Sequence, residues 1–566
     1  MGGIPALKIE LTGYPVKRRN FIKGTLGYAA SLGAAGSLGY SLRRRSRPKI
    51  PGRIVGAPAK FGHQLNGQIK ENPPTTESVG TLIIGAGIAG LSAGWWLRRN
   101  NIKDFIILDL DESIGGNSRS GQNEISPYPW GAHYLPLPGP NSSYVSDFLQ
   151  ECGVITGKDP NTGKFIYDES YLCADPQERL FIQGRWQEGL VPQRGLSSED
   201  KRQFAEFFKV IETYKKSIGR DLKPAFCIPI AASSRDQEFR ELDKLSFAQY
   251  ATLQNWTAKP LLWYINYCCR DDYGQNFEEI SAWAGLHFFA SRVGEAANAE
   301  TQSVLTWPQG NGWLVNKFKD MLSQHIQTNS LAYEITTPNS SKNSRIFVDV
   351  MDTQSGTKKR FHANHVIYAG PRFTAAKIID VLKLEPPSYL DSMVYAPWMV
   401  ANISVAKLPE GDGASLAWDN VNYYSKSLGY VVSTHQNLSG KVNHSVLTYY
   451  LPLSHQAPHV ARLEAGLKSH DDWAHMIAQE LTDLHPELVD KILQIDVWVW
   501  GHGMISPTTG FIWGEQRKAL EASIGNLHFA HSDMSGISIF EEAQYWGVTA
   551  AQKVATAMSS TAKAAL

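Results

Sequence analysis

Three glycines and one acid carry the first chemistry legible in this chain. Gly85, Gly87 and Gly90 stand at G-x-G-x-x-G spacing, and Asp109 lies further on, roughly 20 residues beyond, where dinucleotide-binding units carry an acid. In such a turn the first glycine permits the tight bend and the second lets the backbone approach a pyrophosphate. The third lets the following helix pack close to the strand, and Ala86, Ile88 and Ala89 complete the turn between them. A helix N-terminus behind the turn offers unpaired N–H groups and positive dipole to the phosphates. An acid at position 109 accepts hydrogen bonds from the hydroxyls of an adenosine ribose. This chemistry requires strand, turn, helix and second strand in that order. Residues 81–84 are apolar and β-branched, an apolar helix-period run reaches Asn100, and residues 105–108 read as a second strand ending at Asp109.

Beyond Asp109 the chain reads ESIGGNSRSG and then Trp130-Gly131-Ala132-His133. Here it resembles the FAD-binding amine oxidase family, in which a G-G-R stretch and a short "GA" segment follow the ribose-binding acid. The resemblance puts Gly116 and Asn117 beside the pyrophosphate, with Asn117 at the family's arginine position and Arg119 two residues on as a substitute. Gly131, Ala132 and His133 become the "GA" segment. A glycine loop over residues 306–312, a strand carrying Leu331 and Ala332 at the adenine, and the run His365-Val-Ile-Tyr-Ala-Gly-Pro371 occur in the family's order. The closing strand and turn, Phe529-Ala-His-Ser-Asp533, is similar to the family's F-A-G-D/E signature, so Ser532 or Asp533 takes the ribityl contact. Asp533 has the better chemistry, since a carboxylate accepts from two hydroxyls. Ala543, Gly547, Ala550 and Ala551 match the small positions of the family's last helix, whose N-terminus near Glu541 points at the flavin.

The resemblance covers residues 79–135, 305–375 and 520–556. It implies an α/β fold: a Rossmann-like FAD-binding domain of the GR2/amine oxidase type with an interleaved α+β substrate domain. The expected organisation is a signal over 1–45, a proline-rich linker over 46–78, FAD-binding parts at 79–140, 305–385 and 516–560, and substrate parts at 141–304 and 386–515. Within the substrate parts, residues 179–188 read as a hairpin across Gln183-Gly184 and residues 197–218 as a helix. Arg270, Asp271 and Asp272 form a charged cluster at the end of an apolar helix, read as a cap and ion pair before substrate contacts. The resemblance implies oxidation of a carbon next to an amine, with FAD taking a hydride and oxygen or a quinone reoxidising it. Where the family often has a lysine near the flavin this chain has Asn402, and its aromatic residue before the last helix is Ile539 or Phe540. His502, Trp513 and Phe540 join Asn402 as catalytic candidates, and His133, Trp500 and His531 as further wall residues. Three readings stay open: an amine or polyamine oxidase, a flavin-dependent desaturase or isomerase of a hydrophobic substrate, and a silent FAD-binding protein.

The 566 residues, 43% hydrophobic and 19% charged, describe a globular chain of two or more domains. A net charge of +1 gives no reason to expect nucleic acid. Five cysteines without a C-x-x-C pair, and no metal-spaced His/Glu pair, argue against a metal centre. Lys17-Arg18-Arg19-Asn20-Phe21-Ile22-Lys23 resembles the twin-arginine (Tat) export motif and precedes a weakly apolar, glycine-rich run to Leu42. That run makes a poor permanent span, which takes about 20 strongly apolar residues. Export by the Tat machinery, which carries folded proteins, suits a protein that takes up its nucleotide beforehand. The expected location is the periplasm or the exported side of the membrane.

Overall fold

The first strand of the nucleotide fold, β1 (Thr75–Ile84), starts polar and ends apolar, so its first four residues are exposed and its last six buried. The computed structural model describes residues 49–56, 59–66, 73–338, 345–437 and 443–564. The Tat-like motif lies outside them. After the glycine turn come α1 (Ile88–Arg99) and β2 (Phe105–Leu108), the latter parallel to β1 with Ile107 beside Ile83. The expected linker is partly ordered: Ile54–Val55 pairs with Val497 and Trp498, and β1 begins at Thr75 rather than 79. Residues 75–78 give no hydrophobic signal because that end of the strand is solvated. They are extended only because Lys359–His362 lie alongside.

The first insertion contains the hairpin Glu178–Ile182 and Arg185–Glu188, turning through Gln183 (φ 51°) and Gly184 (φ 77°). Helices α2 (Ser198–Lys216), α3 (Lys259–Tyr273) and α4 (Ala282–Ala290) follow. The α2 helix starts at a reciprocal cap between Ser197 and Asp200, which satisfies two otherwise orphan N–H groups. Phe207, Tyr273 and Trp283 from these three helices pack into one aromatic core.

The nucleotide fold resumes with α5 (Gly312–Leu322), the short strand Ile326–Gln327, and β3 (Ser330–Thr336), β4 (Ile346–Asp352) and β5 (Lys358–Tyr368). The strand expected to carry Leu331 and Ala332 is β3, and the short strand before it is separate. Asn329, at φ 54°, turns the chain between a parallel pairing with β2 and an antiparallel one with β4. An eight-stranded sheet comes next, with β6 (Tyr395–Val405), buried along its whole length, between β7 (Ser445–Pro452) and β8 (Ile492–Ile505).

The chain then returns to the first sheet. Its last strand there, β9 (Leu527–Phe529), pairs with the end of β5, whose first half pairs with β4. The last helix, α6 (Phe540–Ala564), lies against α1. A Cβ at Gly547 would fall 2.1 Å from the Ala89 carbonyl, so this glycine sets how closely the two helices approach. Among the described residues, no helix is long and apolar enough to cross a membrane.

Candidate functional site

The glycine turn has the shape its spacing requires. Gly85 is left-handed, at φ 105°, and a Cβ at Gly90 would stand 1.9 Å from the Gly85 carbonyl oxygen. A Cβ at Gly87 would meet nothing within 4 Å, so the space over the turn is open. Helix α1 has neither a side-chain cap nor an acid in its first turn, leaving its positive end to an anion from outside. Asp109 accepts the Ala86 N–H at 2.7 Å and the Asp111 N–H at 2.9 Å. Burial pushes its carboxyl up to about 6 against those two bonds. Gly116 passes the turn closely, its Cβ position 3.4 Å from the Gly87 Cα.

The neighbours of this turn divide. Asn117 donates to the Gly503 carbonyl, accepts the Ala132 N–H at 2.9 Å through its own carbonyl, and lies on a cavity wall. Arg119, expected at the pyrophosphate, is held by the Asp111 carboxylate at 2.5 Å and the Ser113 carbonyl at 2.6 Å, and stacks on Trp498. It braces the 111–119 loop. Leu331 and Ala332 are buried in β3, which is tied to the acid by the Ser330 N–H donating to the Asp109 carbonyl at 2.7 Å.

Ser532 and Asp533 are buried in the closing turn. Asp533 accepts the Arg372 N–H at 2.8 Å and the Tyr395 hydroxyl at 2.5 Å, and the His531 ring lies 3.1 Å away. Burial alone would push this carboxyl up, but His531, Tyr395 and Arg372 together hold it below the ordinary range. Its carboxylate thus locks the turn to the second sheet. Ala543 packs against the core around α1.

A cavity opens between the 131–136 segment, strands β6 and β8, the ends of α3 and α4, and residues 538–541. Its aromatic walls are Tyr134, Trp398, Tyr450, Trp500 and Phe540. His133 lies 4.6 Å from the Tyr450 ring. Burial pushes this histidine down to about 4 against a backbone bond at Gly131, so it is neutral at pH 7. Asn311 is also on the wall, 1% exposed, and its Oδ1 has no partner among the described residues.

Charge in this cavity is unbalanced. Asp271, Asp272 and Glu541 face it with Arg292 as the wall's single guanidinium. Asp272 pairs with Arg292 at 2.6 Å. Burial, then the neighbouring Asp272, pushes Asp271 up to about 7. Burial likewise pushes Glu541 to about 7. Asp419 and Glu178, side by side on paired strands, lie within electrostatic reach of Asp271. Of the charged cluster read from the sequence, Asp272 is an ion pair as expected and Arg270 turns to Ser454 at 3.2 Å, but Asp271 is cavity wall.

The catalytic candidates scatter. Phe540 is on the wall. Asn402 shares a face of β6 with the wall residues Trp398 and Val400, since side chains alternate along a strand. It sits beyond them, 3% exposed, donating to the Pro129 carbonyl at 3.0 Å and accepting the Thr448 hydroxyl at 2.7 Å. His502 faces out, stacked on Phe373, because the β6–β8 register slips between the pairs Trp398–Trp500 and Ala396–Met504. Trp513 packs edge-on against Trp283, and the Asp243 carboxylate accepts its backbone N–H at 2.8 Å. Asn311, Arg292 and Glu541 are among the wall residues that pattern reading did not select as site residues. Asn311 stood in a recognised glycine loop, and Glu541 in a recognised helix start.

Residues 83–152 match the NAD(P)-binding Rossmann-like domain. No curated protein sequence matches the chain. Among solved structures it is similar to wild-type putrescine oxidase bound to putrescine, at 14% identity over 85% of this chain and 100% of that one, with a TM-score of 0.61. The fold is that of the amine oxidases. Cyclohexylamine oxidase from Brevibacterium oxydans is similar at 13% identity, 85% and 100% coverage and a TM-score of 0.59. A fatty acid isomerase from P. acnes is similar at 15%, 84% and 98% coverage, and 0.57.

Proposed function

We propose that this protein is an FAD-dependent oxidoreductase that oxidises an amine in the cavity beside the 131–133 segment. The observation that carries the reading is the excess of carboxylates, Asp271, Asp272 and Glu541 against Arg292, in an aromatic-walled cavity. A desolvated negative wall selects a cation, and aromatic faces add to its attraction. The residues present fit the cofactor. An uncapped, acid-free helix start behind Gly85 and Gly87 suits the pyrophosphate, Asp109 the ribose, and the orphaned Asn311 acceptor a ring N–H.

FAD, when bound, supplies the hydride acceptor. The protein's own part is to hold the substrate carbon against the aromatic walls, exclude water and let the ammonium lose its proton, since a neutral nitrogen is needed for oxidation at the adjacent carbon. His133, neutral at physiological pH, does not oppose a cation. A second reading, a desaturase or isomerase of a hydrophobic substrate, draws on the apolar walls Trp398, Val400 and Met504. A fatty acid's own carboxylate would meet repulsion from three acids there, which favours the amine.

Anaerobic mixing of the purified protein with a panel of alkylamines, diamines and unsaturated lipids tests this. Bleaching of the flavin by amines is the expected result, and bleaching by lipids alone would replace the first reading with the second. We further propose export by the Tat machinery, with oxygen or a quinone as final acceptor.

A further inference from the structure

The last helix opens with two adjacent glutamates in opposite circumstances. Glu542 is fully buried and fully used: it accepts the Ile230 N–H at 2.6 Å and the Ser535 hydroxyl, which is itself fixed by the Trp546 indole N–H at 2.7 Å. Glu541 is only 6% exposed and lines the cavity, and its carboxylate is met by its own backbone N–H with no hydrogen bond to another described residue. A buried carboxylate is ordinarily hydrogen-bonded or ion-paired. The nearest cation, Arg292, is already held by Asp272 at 2.6 Å. Glu541 therefore faces the cavity with no cation of its own among the described residues.

We propose that Glu541 receives the cationic nitrogen of an alkylammonium substrate and takes its proton. The inference rests on the amine reading above and names the residue that prepares the substrate. In the step, the N–H bond of R–CH2–NH3+ breaks and its electron pair stays on nitrogen, while an O–H bond forms on a Glu541 carboxylate oxygen. The products are a neutral amine, ready for oxidation at carbon, and a neutral carboxylic acid. Charge is conserved, and the ion pair of carboxylate and ammonium becomes two neutral groups, which a desolvated cavity favours.

The titratable groups that share the cavity with Glu541 are Arg292 just beyond α4, Asp272 and Asp271 at the end of α3, and His133 and Tyr134 on the 131–136 segment, and Glu542 beside it on α6 lies within electrostatic reach. Its own backbone N–H and then Arg292 favour its ionised form, and Asp272 opposes it. Burial leaves it titrating at about 7 before a cation arrives, close to the range at which proton acceptance works best at neutral pH.

Two measurements on the flavin-loaded full chain test the role. The first is calorimetric titration with benzyltrimethylammonium, a permanent cation that needs no turnover. Wild type should bind it more weakly as pH falls through about 7, and Glu541→Gln should bind it roughly tenfold more weakly with a shallower pH profile, the remainder coming from Asp271. The second is the anaerobic bleaching rate with benzylamine. Glu541→Gln should slow it about 100-fold or more and remove the limb that rises through pH 7, and Glu541→Asp should restore part of both. Flavin content and melting temperature of each variant check that the fold is kept. Unchanged affinity and an unchanged pH limb in Glu541→Gln would overturn the proposal. If the cation binds through Glu541 but no amine bleaches wild type, the proton-accepting role falls with the amine reading. If amines bleach Glu541→Gln as fast as wild type, Glu541 alone is wrong.

Discussion

At the scale of single residues, carboxyl groups buried without counter-ions set the behaviour. Asp109 has two backbone donors but room for more, so Asp109→Ala removes acceptors for charge-assisted ribose bonds. The expected loss of FAD affinity is about 10- to 100-fold, read from flavin absorbance after dialysis, and undiminished occupancy would contradict the assignment. Because burial holds its carboxyl at about 6 and ribose hydroxyls favour the ionised form, retention should weaken as pH falls through that value. Glu541 makes a stability prediction of opposite sign. Its folded value, about 7, lies above its ordinary 4.5, so the folded state binds the extra proton between these values. Its contribution is fully favourable below 4.5 and is lost as pH rises through 7. Glu541→Gln should therefore melt higher than wild type at pH 8, by on the order of 2–3 kcal/mol of stability, and gain little at pH 4.5. Equal gains at both values would show that Glu541 is not buried as a charge. Such a gain accompanied by lost activity is the trade expected at a functional site.

At the scale of elements, the site depends on how closely α1 and α6 approach, since α1 supplies the phosphate end and the start of α6 supplies Phe540 and Glu541. At Gly547 an added Cβ meets backbone, the Ala89 carbonyl at 2.1 Å, which a side-chain rotation cannot relieve. Gly547→Ala should cost about 1–3 kcal/mol and lower flavin retention together with melting temperature. A variant that melts like wild type would refute the close-packing account. The same elements explain what sequence reading can and cannot reach. The strand, turn, helix and acid from residue 81 to 109 were legible because each step has a local cause: apolar run, glycine spacing, helical period. The hairpin at Gln183-Gly184 and the helix from Ser198 were legible for the same reason. Asp271, Arg292 and Glu541 were not, because they meet from three distant elements and each, taken locally, reads as an ordinary helix-end charge. His502 illustrates the converse. Its spacing from Trp500 puts it on the cavity face of a regular strand, and only the slipped β6–β8 register turns it outward.

At the scale of the molecule, two sheets do different work. The seven-stranded sheet carries the nucleotide turn at the end of β1, and the eight-stranded sheet supplies Trp398, Val400 and Trp500 to the cavity. Asp419 and Glu178, acids on directly paired positions, are pushed toward the neutral form by burial, which leaves the negative field at the cavity to Asp271, Asp272 and Glu541. Amine association should therefore slow as ionic strength rises. The proposed export makes a separate prediction: exchanging Arg18 and Arg19 for lysine should leave flavin-loaded protein in the cytoplasm, measured by cell fractionation, and undiminished export would refute the twin-arginine assignment.

The central claim, an amine oxidised by FAD in the Glu541 cavity, is tested most directly by anaerobic stopped-flow mixing of the purified full chain with benzylamine and with 1,4-diaminobutane. The account predicts a yellow protein whose flavin bleaches in a single amine-dependent phase, faster above pH 7 than below. A colourless protein that takes up no FAD, or a loaded one that no amine reduces at any pH, would contradict it.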